Sequence, residues 1–195
     1  MLELKDIADI YSGMAVQEGD GSARFVRLSD LSDLRSGRPL QLAAGEAPAV
    51  ARALPIADGD LIVGARGSAT DVCLANYSLF GAFISLDLYL VRPNTSKVVP
   101  GYLAAFLDLP GTQAALAGGK QGSGLARLPK EALDKLVVPL PPMPAQRSIA
   151  ELAQSFRDEA ELLQRLATLN SILGRESLAR AIRAAATSPH SQEIL

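Results

Sequence analysis

Short apolar segments separated by turn-forming residues fill most of the chain as far as residue 140. The alternating segment 24–28 predicts a strand with one apolar face, and the glycine-rich segment 18–22 before it predicts a turn. Residues 61–63 and 82–91 are nearly all apolar, which predicts two buried strands.

Other segments carry helix and loop signals. Residues 4–10 predict a short amphipathic helix or a turn followed by a strand, whereas glycines and prolines within 33–48 indicate a loop. Prolines at helix starts and a Pro-Gly pair at a helix end delimit the next elements. The pattern predicts helices over 102–109, 112–117 and 129–135, a glycine-rich loop over 118–124, and a strand over 136–138.

The sequence changes character after four closely spaced prolines, residues 139, 141, 142 and 144, which form a stiff connector. Residues 145–186 contain no proline and one glycine, and they are rich in strong helix formers. Apolar residues recur there at a spacing close to a heptad, which predicts a coiled-coil seam that needs a partner helix. The seam is Ile149, Leu152, Phe156, Leu163, Leu166, Asn170 and Leu173.

Two questions about this helix stay open at the level of sequence. The helix either pairs with another helix or folds back onto its own domain. The proline connector and the length of the helix favour pairing. Asn170 either fixes the register of a buried seam or is exposed where the seam ends.

These patterns together predict an α/β (α+β) fold. A mixed-sheet domain over residues 1–142 precedes a long coiled-coil-type helix over 143–187, and residues 188–195 form a flexible tail.

Composition is that of an ordinary globular protein, with 48% hydrophobic and 21% charged residues. No apolar run approaches the roughly 18 residues that a membrane span needs, and the first residues lack the pattern of a signal peptide. The single cysteine, Cys73, cannot form an internal disulfide. A cytoplasmic location is therefore expected.

Four segments, taken in order, resemble the target-recognition half of the specificity subunits of type I restriction–modification systems. They are LKDIADIYSG at 4–13, GDLIVGARG at 59–67, GSGLARL at 122–128 and LVVPLPPMPAQRSI at 136–149. The last segment is the most specific, since a strand that runs through prolines into a glutamine-containing long helix is similar to the family's junction between recognition domain and conserved helix.

The resemblance implies a non-catalytic component that recognises double-stranded DNA and directs other subunits to a bipartite site. Such subunits usually carry two recognition domains and two long helices. Methyltransferase subunits, which bind S-adenosylmethionine, and an endonuclease subunit assemble around them. This chain has one domain and one helix, so the resemblance implies either a homodimer through the helix or half of a larger subunit. No cofactor or metal is expected in this chain itself.

The charge balance limits how such a protein could bind DNA. The net charge is −2, and residues 1–140 hold 13 basic against 15 acidic residues, whereas proteins that bind DNA alone are usually basic. A local basic patch near flexible backbone is therefore required, with other subunits neutralising further phosphates. The predicted DNA-contacting residues are Arg24, Arg27, Arg66, Ser68, Lys120, Gln121, Ser123 and Arg127.

The same residues allow other interpretations. Arg66 could instead pair with Asp60 or Asp71, and Arg24 and Arg27 could be solvated strand-edge charges. The glycine loop lacks the spacing of a nucleotide-binding P-loop, so it is either a plain flexible loop or a DNA-facing loop.

No catalytic site is indicated. The single histidine, His190, falls in the predicted tail without partners for a triad or a metal, and Cys73 between apolar neighbours predicts a buried, inert thiol. The alternative function, which the acidic composition favours, is a helical scaffolding protein whose globular domain binds protein rather than DNA.

Overall fold

The computed structural model describes residues 1–16, 18–49, 53–67, 70–122 and 126–187. The chain divides into two compact units, Met1–Ser155 and Phe156–Leu195. The predicted tail at 188–195, with His190, lies outside the described residues.

The first unit contains all the described strands and the short helices, and the longest helix begins there. The strands are β1 (Leu2–Glu3), β2 (Ala8–Ser12), β3 (Glu18–Val26), β4 (Ala43–Gly45), β5 (Leu61–Gly64), β6 (Val72–Leu74), β7 (Phe83–Ile84), β8 (Leu88–Pro93) and β9 (Val137–Val138). The α-helices are α1 (Asp30–Arg35), α2 (Pro100–Leu107), α3 (Pro110–Gly118), α4 (Lys130–Asp134) and α5 (Met143–Thr187). Single 3-10 turns occupy Leu4–Asp6 and Tyr77–Leu79.

The described strands form three sheets. The largest is antiparallel in the order β2-β8-β5-β6. In the second sheet β3 pairs antiparallel with β4 and parallel with β7, and in the third β1 pairs antiparallel with β9. Mixed sheets followed by a long C-terminal helix confirm the predicted fold class.

The two central strands of the large sheet, β5 and β8, are buried on both faces. Successive side chains of a strand point to opposite sides, so each of these strands contributes to two cores. Leu61 and Val63 of β5 join a core that contains α2 residues such as Leu103, whereas Ile62 between them joins a second core with Leu31 of α1. Continuous apolar runs in β5 and β8 are the consequence of this double burial.

Most predicted elements are found within two residues of their predicted bounds, including the helices α2, α3 and α4 and the strands β5 and β9. The opening segment resolves as a 3-10 turn followed by β2.

The single strand predicted over 82–91 is wrong, because β7 and β8 are separate strands in different sheets. A tight turn separates them, in which the Leu88 amide donates to the Ser85 carbonyl over 3.0 Å. Gly13 packs directly against this turn: a Cβ on Gly13 would lie 1.9 Å from the Ser85 carbonyl oxygen. An apolar run alone cannot distinguish one strand from two that share a core.

Two other local predictions are also wrong. Segment 18–22 is the start of β3 rather than a turn. One of its glycines serves close packing, since a Cβ on Gly21 would lie 2.1 Å from the Gly45 carbonyl oxygen of β4. Segment 33–48 is not one loop, since it contains the end of α1 and the strand β4. The fully buried Leu31 holds α1 against the second core.

Helix α5 starts on a buried anchor within the first unit. Gln146 is 1% exposed; its side-chain oxygen accepts from the Val99 amide over 2.9 Å, and its side-chain nitrogen donates to the Pro141 carbonyl over 2.9 Å. Pro144 is accommodated because it lies in the first turn, where the backbone N–H has no helical partner. The hydrogen bonds of Gln146 therefore fix the end of the proline connector to the first unit.

The described part of the second unit, residues 156–187, is a continuation of α5. Its apolar side chains are largely exposed; Phe156, Leu163 and Leu173 are 61%, 59% and 64% exposed. Asn170 is exposed as well. A stripe of exposed apolar side chains is typical of a helix that packs against another element.

Candidate nucleic-acid interface

Three loop segments meet at the end of the large sheet where β5 finishes and β8 begins. Gly64 of β5 pairs with Leu88 of β8 there. The Ala65 amide donates to the Asp87 carbonyl over 2.8 Å, and the Leu128 amide donates to the Ala65 carbonyl over 2.7 Å. Backbone hydrogen bonds thus fix the segments relative to one another before any side chain is considered.

Five polar side chains lie on these joined segments and are called here the arginine cluster: Arg66, Asp87, Lys120, Gln121 and Arg127. Antiparallel bridges connect Arg127 to both Arg66 and Gln121 through the backbone. The glycine-rich loop is therefore pinned to the end of β5 on both sides of residues 123–125.

Asp87 is the shared partner of two arginines. Arg66 Nε donates to Asp87 Oδ1 over 2.6 Å, and Arg127 Nη1 donates to the same oxygen over 3.1 Å. These side chains are 35%, 36% and 31% exposed for Arg66, Asp87 and Arg127. Ion pairs this exposed contribute only about 0–1 kcal/mol each to stability. Their main physical effect is to orient the two guanidinium groups.

Arg127 is held by two further contacts. Its Nη2 donates to the Leu86 carbonyl over 3.0 Å, and its guanidinium lies 5.7 Å from the ring centroid of Tyr89. Tyr89 is itself buried, and its hydroxyl donates to the Leu128 carbonyl over 2.7 Å. These contacts hold the Arg127 guanidinium group in place.

Lys120 closes the cluster from the other side. Its ammonium donates to the Gly67 carbonyl over 2.7 Å, and partial burial lowers the pKa of Lys120. Gly67 has a φ of +96°, a conformation that side chains rarely adopt, so glycine is needed where the chain turns toward Lys120.

The cluster is a local positive patch in an acidic chain. Arg66, Lys120 and Arg127 carry three positive charges against one negative charge on Asp87, a balance of +2, whereas the whole chain carries −2. Guanidinium and ammonium groups bind phosphate oxygens, and arginine and glutamine side chains also bind base edges. This arrangement is chemically suited to a nucleic-acid backbone and its bases.

The structure does not bring all the predicted residues into the cluster. Ser68 and Ser123 lie outside the described residues. Arg24 donates to the carbonyls of Ser78 and Phe80, over 3.2 and 2.9 Å. Arg27 forms an ion pair of 3.6 Å with Asp30. Both arginines therefore have partners on segments other than those that form the cluster.

Asp87 was missed by sequence reasoning. Asp60, one of the two partners considered for Arg66, instead binds Arg92 through Arg92 Nη2 over 2.6 Å, and Asp71 lies near Arg35. The only sequence signal for Asp87 was an acidic residue inside an otherwise apolar run.

The residues that the structure describes also include Cys73 and side chains of the types that bind metal ions. Cys73 is buried, and burial raises the pKa of its thiol to about 12, which confirms the predicted buried thiol. Within the described ranges, no three His, Cys, Asp or Glu residues are grouped as metal ligands. None of the helices in those ranges is long and apolar enough to cross a bilayer.

The sequence profile of the type I restriction modification DNA specificity domain matches residues 2–171. The chain belongs to this family. The family is a recognition component of type I restriction–modification systems and not one of their catalytic components. A search of curated proteins found no match.

Solved structures support the same fold. One similar structure is described as showing the structural basis of complex assembly and conformational transition of the type I R-M system. It is 22% identical to this chain with a TM-score of 0.63, and the match covers 91% of this chain and 43% of that chain. The HsdS subunit from Thermoanaerobacter tengcongensis is 21% identical with a TM-score of 0.57, over 85% and 39%. The S subunit from M. genitalium is 15% identical with a TM-score of 0.59, over 90% and 43%.

This specificity-domain chain thus spans less than half the length of those structures. It matches them as one sheet-containing domain followed by one long helix.

Proposed function

We propose that the chain recognises one half of a bipartite DNA target, as a half-subunit that directs methyltransferase and endonuclease subunits to the site. Residues 1–142 act as the DNA-reading domain, 143–187 as the dimerisation and spacer helix, and 188–195 as the tail. Any S-adenosylmethionine is bound by the methyltransferase partners. A cytoplasmic location is part of the same proposal.

The arginine cluster carries this proposal. Its side chains come from three segments distant in sequence, and backbone hydrogen bonds hold these segments together, so the cations are organised before DNA arrives. A preorganised patch loses less conformational freedom on binding than mobile surface lysines do. Membership of the DNA specificity family supports DNA rather than a protein as the ligand.

The test is DNA retention by the full chain across a salt series, with and without methyltransferase subunits, on random-sequence duplexes. We expect binding that weakens as salt rises, because phosphate contacts release counterions. The variant R66A/K120A/R127A should bind much more weakly and with a shallower salt dependence.

A matched control removes three positive charges elsewhere in the same unit. Lys5, Arg38 and Lys135 are exposed and lie outside the cluster, so K5A/R38A/K135A has the same net charge as the cluster variant. Equal loss of binding in both triple variants would show a general charge effect and contradict the cluster as the site. Absence of salt-sensitive DNA retention in the wild-type complex would instead favour the scaffolding function.

The helix supports the second half of the proposal, a homodimer that gives a symmetric split target. The apolar residues exposed along α5 include six of the seven predicted seam positions: Ile149, Leu152, Phe156, Leu163, Leu166 and Leu173. Leu162, Leu169, Ile172, Leu178 and Ile182 are also exposed, so the apolar surface is wider than a strict heptad seam. A wide apolar stripe favours more than one packing partner.

Sedimentation of the full chain tests the dimer. We expect the wild type to form dimers, and L163D/L166D to remain monomeric while still binding DNA weakly. Dimers that persist in this variant would contradict the seam, and a monomeric wild type would favour half of a larger arrangement with another chain.

A further inference from the structure

Arg66 and Arg127 bind the same carboxylate through different edges of their guanidinium groups. Arg66 uses Nε, the nitrogen on the side of the group, over 2.6 Å. Arg127 uses its two terminal nitrogens, Nη1 to Asp87 over 3.1 Å and Nη2 to the Leu86 carbonyl over 3.0 Å. The two arginines therefore differ in which N–H groups remain for a ligand.

The difference matters for reading a base. Arginine recognises guanine with two parallel hydrogen bonds, to the O6 and N7 acceptors that guanine presents in the major groove. The terminal pair of nitrogens gives this fork its end-on form. In the described part of the chain, the side-chain hydrogen bond of Arg66 engages Nε and leaves its terminal N–H groups for a ligand. Each terminal nitrogen of Arg127 already gives one of its two N–H groups to a protein acceptor, which restricts its end-on approach to a base.

Asp87 is held firmly enough to orient an arginine. Its carbonyl accepts from the Ala65 amide over 2.8 Å, and the turn that carries it is closed by the hydrogen bond between Leu88 and Ser85. The Ser85 amide in turn donates to the Val26 carbonyl over 2.9 Å. Three backbone hydrogen bonds thus hold the turn that carries Asp87. Its carboxylate therefore limits the rotation of the guanidinium group that it binds.

We propose that Arg66 reads a guanine of the target through its terminal nitrogens, with Asp87 as its positioning residue and Arg127 as a clamp on Asp87. The inference rests on the proposed DNA-binding function. It assigns base recognition to one arginine and a supporting role to the other, although both lie in the same cluster.

The experiment uses full-length protein and duplexes enriched from a random library by the wild type. In the enriched duplex, each guanine is replaced in turn by 7-deazaguanine, which lacks the N7 acceptor, or by inosine, which keeps O6 and N7. Wild-type affinity should fall by about fivefold or more at one guanine with 7-deazaguanine. It should change little with inosine at that position.

Two matched lysine variants separate the roles, because lysine keeps the charge but lacks the planar fork. R66K should lose the sensitivity to 7-deazaguanine at that guanine, whereas R127K should retain it. The reverse result, or equal loss in both variants, would overturn the assignment.

The test of Asp87 must distinguish positioning of Arg66 from a general contribution to stability. D87A removes the only negative charge of the cluster, so binding to random-sequence DNA should become equal or tighter while the sensitivity to 7-deazaguanine disappears. Weaker binding to all DNA, with the guanine preference intact, would refute a positioning role. Thermal unfolding of each variant verifies that it folds.

The failures of the two proposals are distinguishable. A wild-type chain that enriches no sequence and shows no salt-sensitive binding contradicts the proposed function. Selective binding without a guanine whose effect depends on Arg66 contradicts this inference alone.

Discussion

Replacing Gln146 by alanine should destabilise the first unit strongly, although the residue lies at the start of a largely exposed helix. Its side chain is 1% exposed and satisfies three backbone groups: the Val99 amide at 2.9 Å, the Pro141 carbonyl at 2.9 Å and the Lys97 carbonyl at 3.4 Å. Alanine reaches none of these.

The size of the effect follows from what remains unpaired. Each lost hydrogen bond contributes about 1 kcal/mol net, and a buried donor left without a partner costs about 1–3 kcal/mol. If the two bonds of 2.9 Å count fully and the bond of 3.4 Å counts little, Q146A should lose about 2–4 kcal/mol of its free energy of unfolding. For a protein of 195 residues this lowers Tm by roughly 5–15 °C.

Tyrosine fluorescence during urea unfolding isolates the relevant unit. The chain has no tryptophan, and its four tyrosines, Tyr11, Tyr77, Tyr89 and Tyr102, all lie within Met1–Ser155. Q146M fills the same volume without the hydrogen bonds and should be nearly as unstable as Q146A.

Gln41, which is exposed in the same unit, provides the control. Q41A should stay within about 0.5 kcal/mol of wild type, because surface substitutions away from such contacts have small effects. If Q146A unfolds within the same margin, the glutamine is not the anchor that its contacts indicate.

Two further predictions concern buried and glycine positions. Because burial raises the pKa of Cys73 to about 12, the folded protein at pH 8 should react with Ellman's reagent about a thousandfold more slowly than in urea, and fast labelling of the folded state would contradict its burial. G13A places a Cβ 1.9 Å from the Ser85 oxygen, whereas G174A meets nothing within 4 Å. Circular dichroism during urea unfolding should therefore show a loss of about 1–3 kcal/mol for G13A and a gain of about 1 kcal/mol for G174A; effects of equal sign would be inconsistent with these environments.

Much of the cluster could be predicted from local sequence, because Arg66, Lys120 and Gln121 stand beside glycines and Arg127 follows the same glycine-rich segment. Their common partner could not. Asp87 lies 21 residues from Arg66 and 40 from Arg127, and it reaches them only because β5 pairs with β8. Pairing between distant strands depends on the packing of the whole core, so the sequence around Asp87 does not indicate it.

The long helix shows the opposite case. Proline marks its start and a run of helix-forming residues follows, so a long helix that begins near Met143 was predictable from local chemistry. The anchoring role of Gln146 was not, since a glutamine near a helix start looks the same whether it is solvated or buried. What separates the two cases is the position of Lys97 and Val99, which contact it from nearly 50 residues away.

The charge balance of the cluster has a quantitative consequence for the proposed function. Each neutralised phosphate contributes about −0.9 to the slope of log affinity against log salt. A cluster with a balance of +2 therefore supports a slope no steeper than about −2 for one chain and about −4 for the proposed dimer, and a shallower one where Arg66 contacts a base instead of a phosphate. Such weak non-specific binding leaves most of the discrimination to base contacts, which is consistent with the proposed assembly, in which partner subunits also contact the DNA. A much steeper slope for the isolated chain would require phosphate contacts outside the cluster.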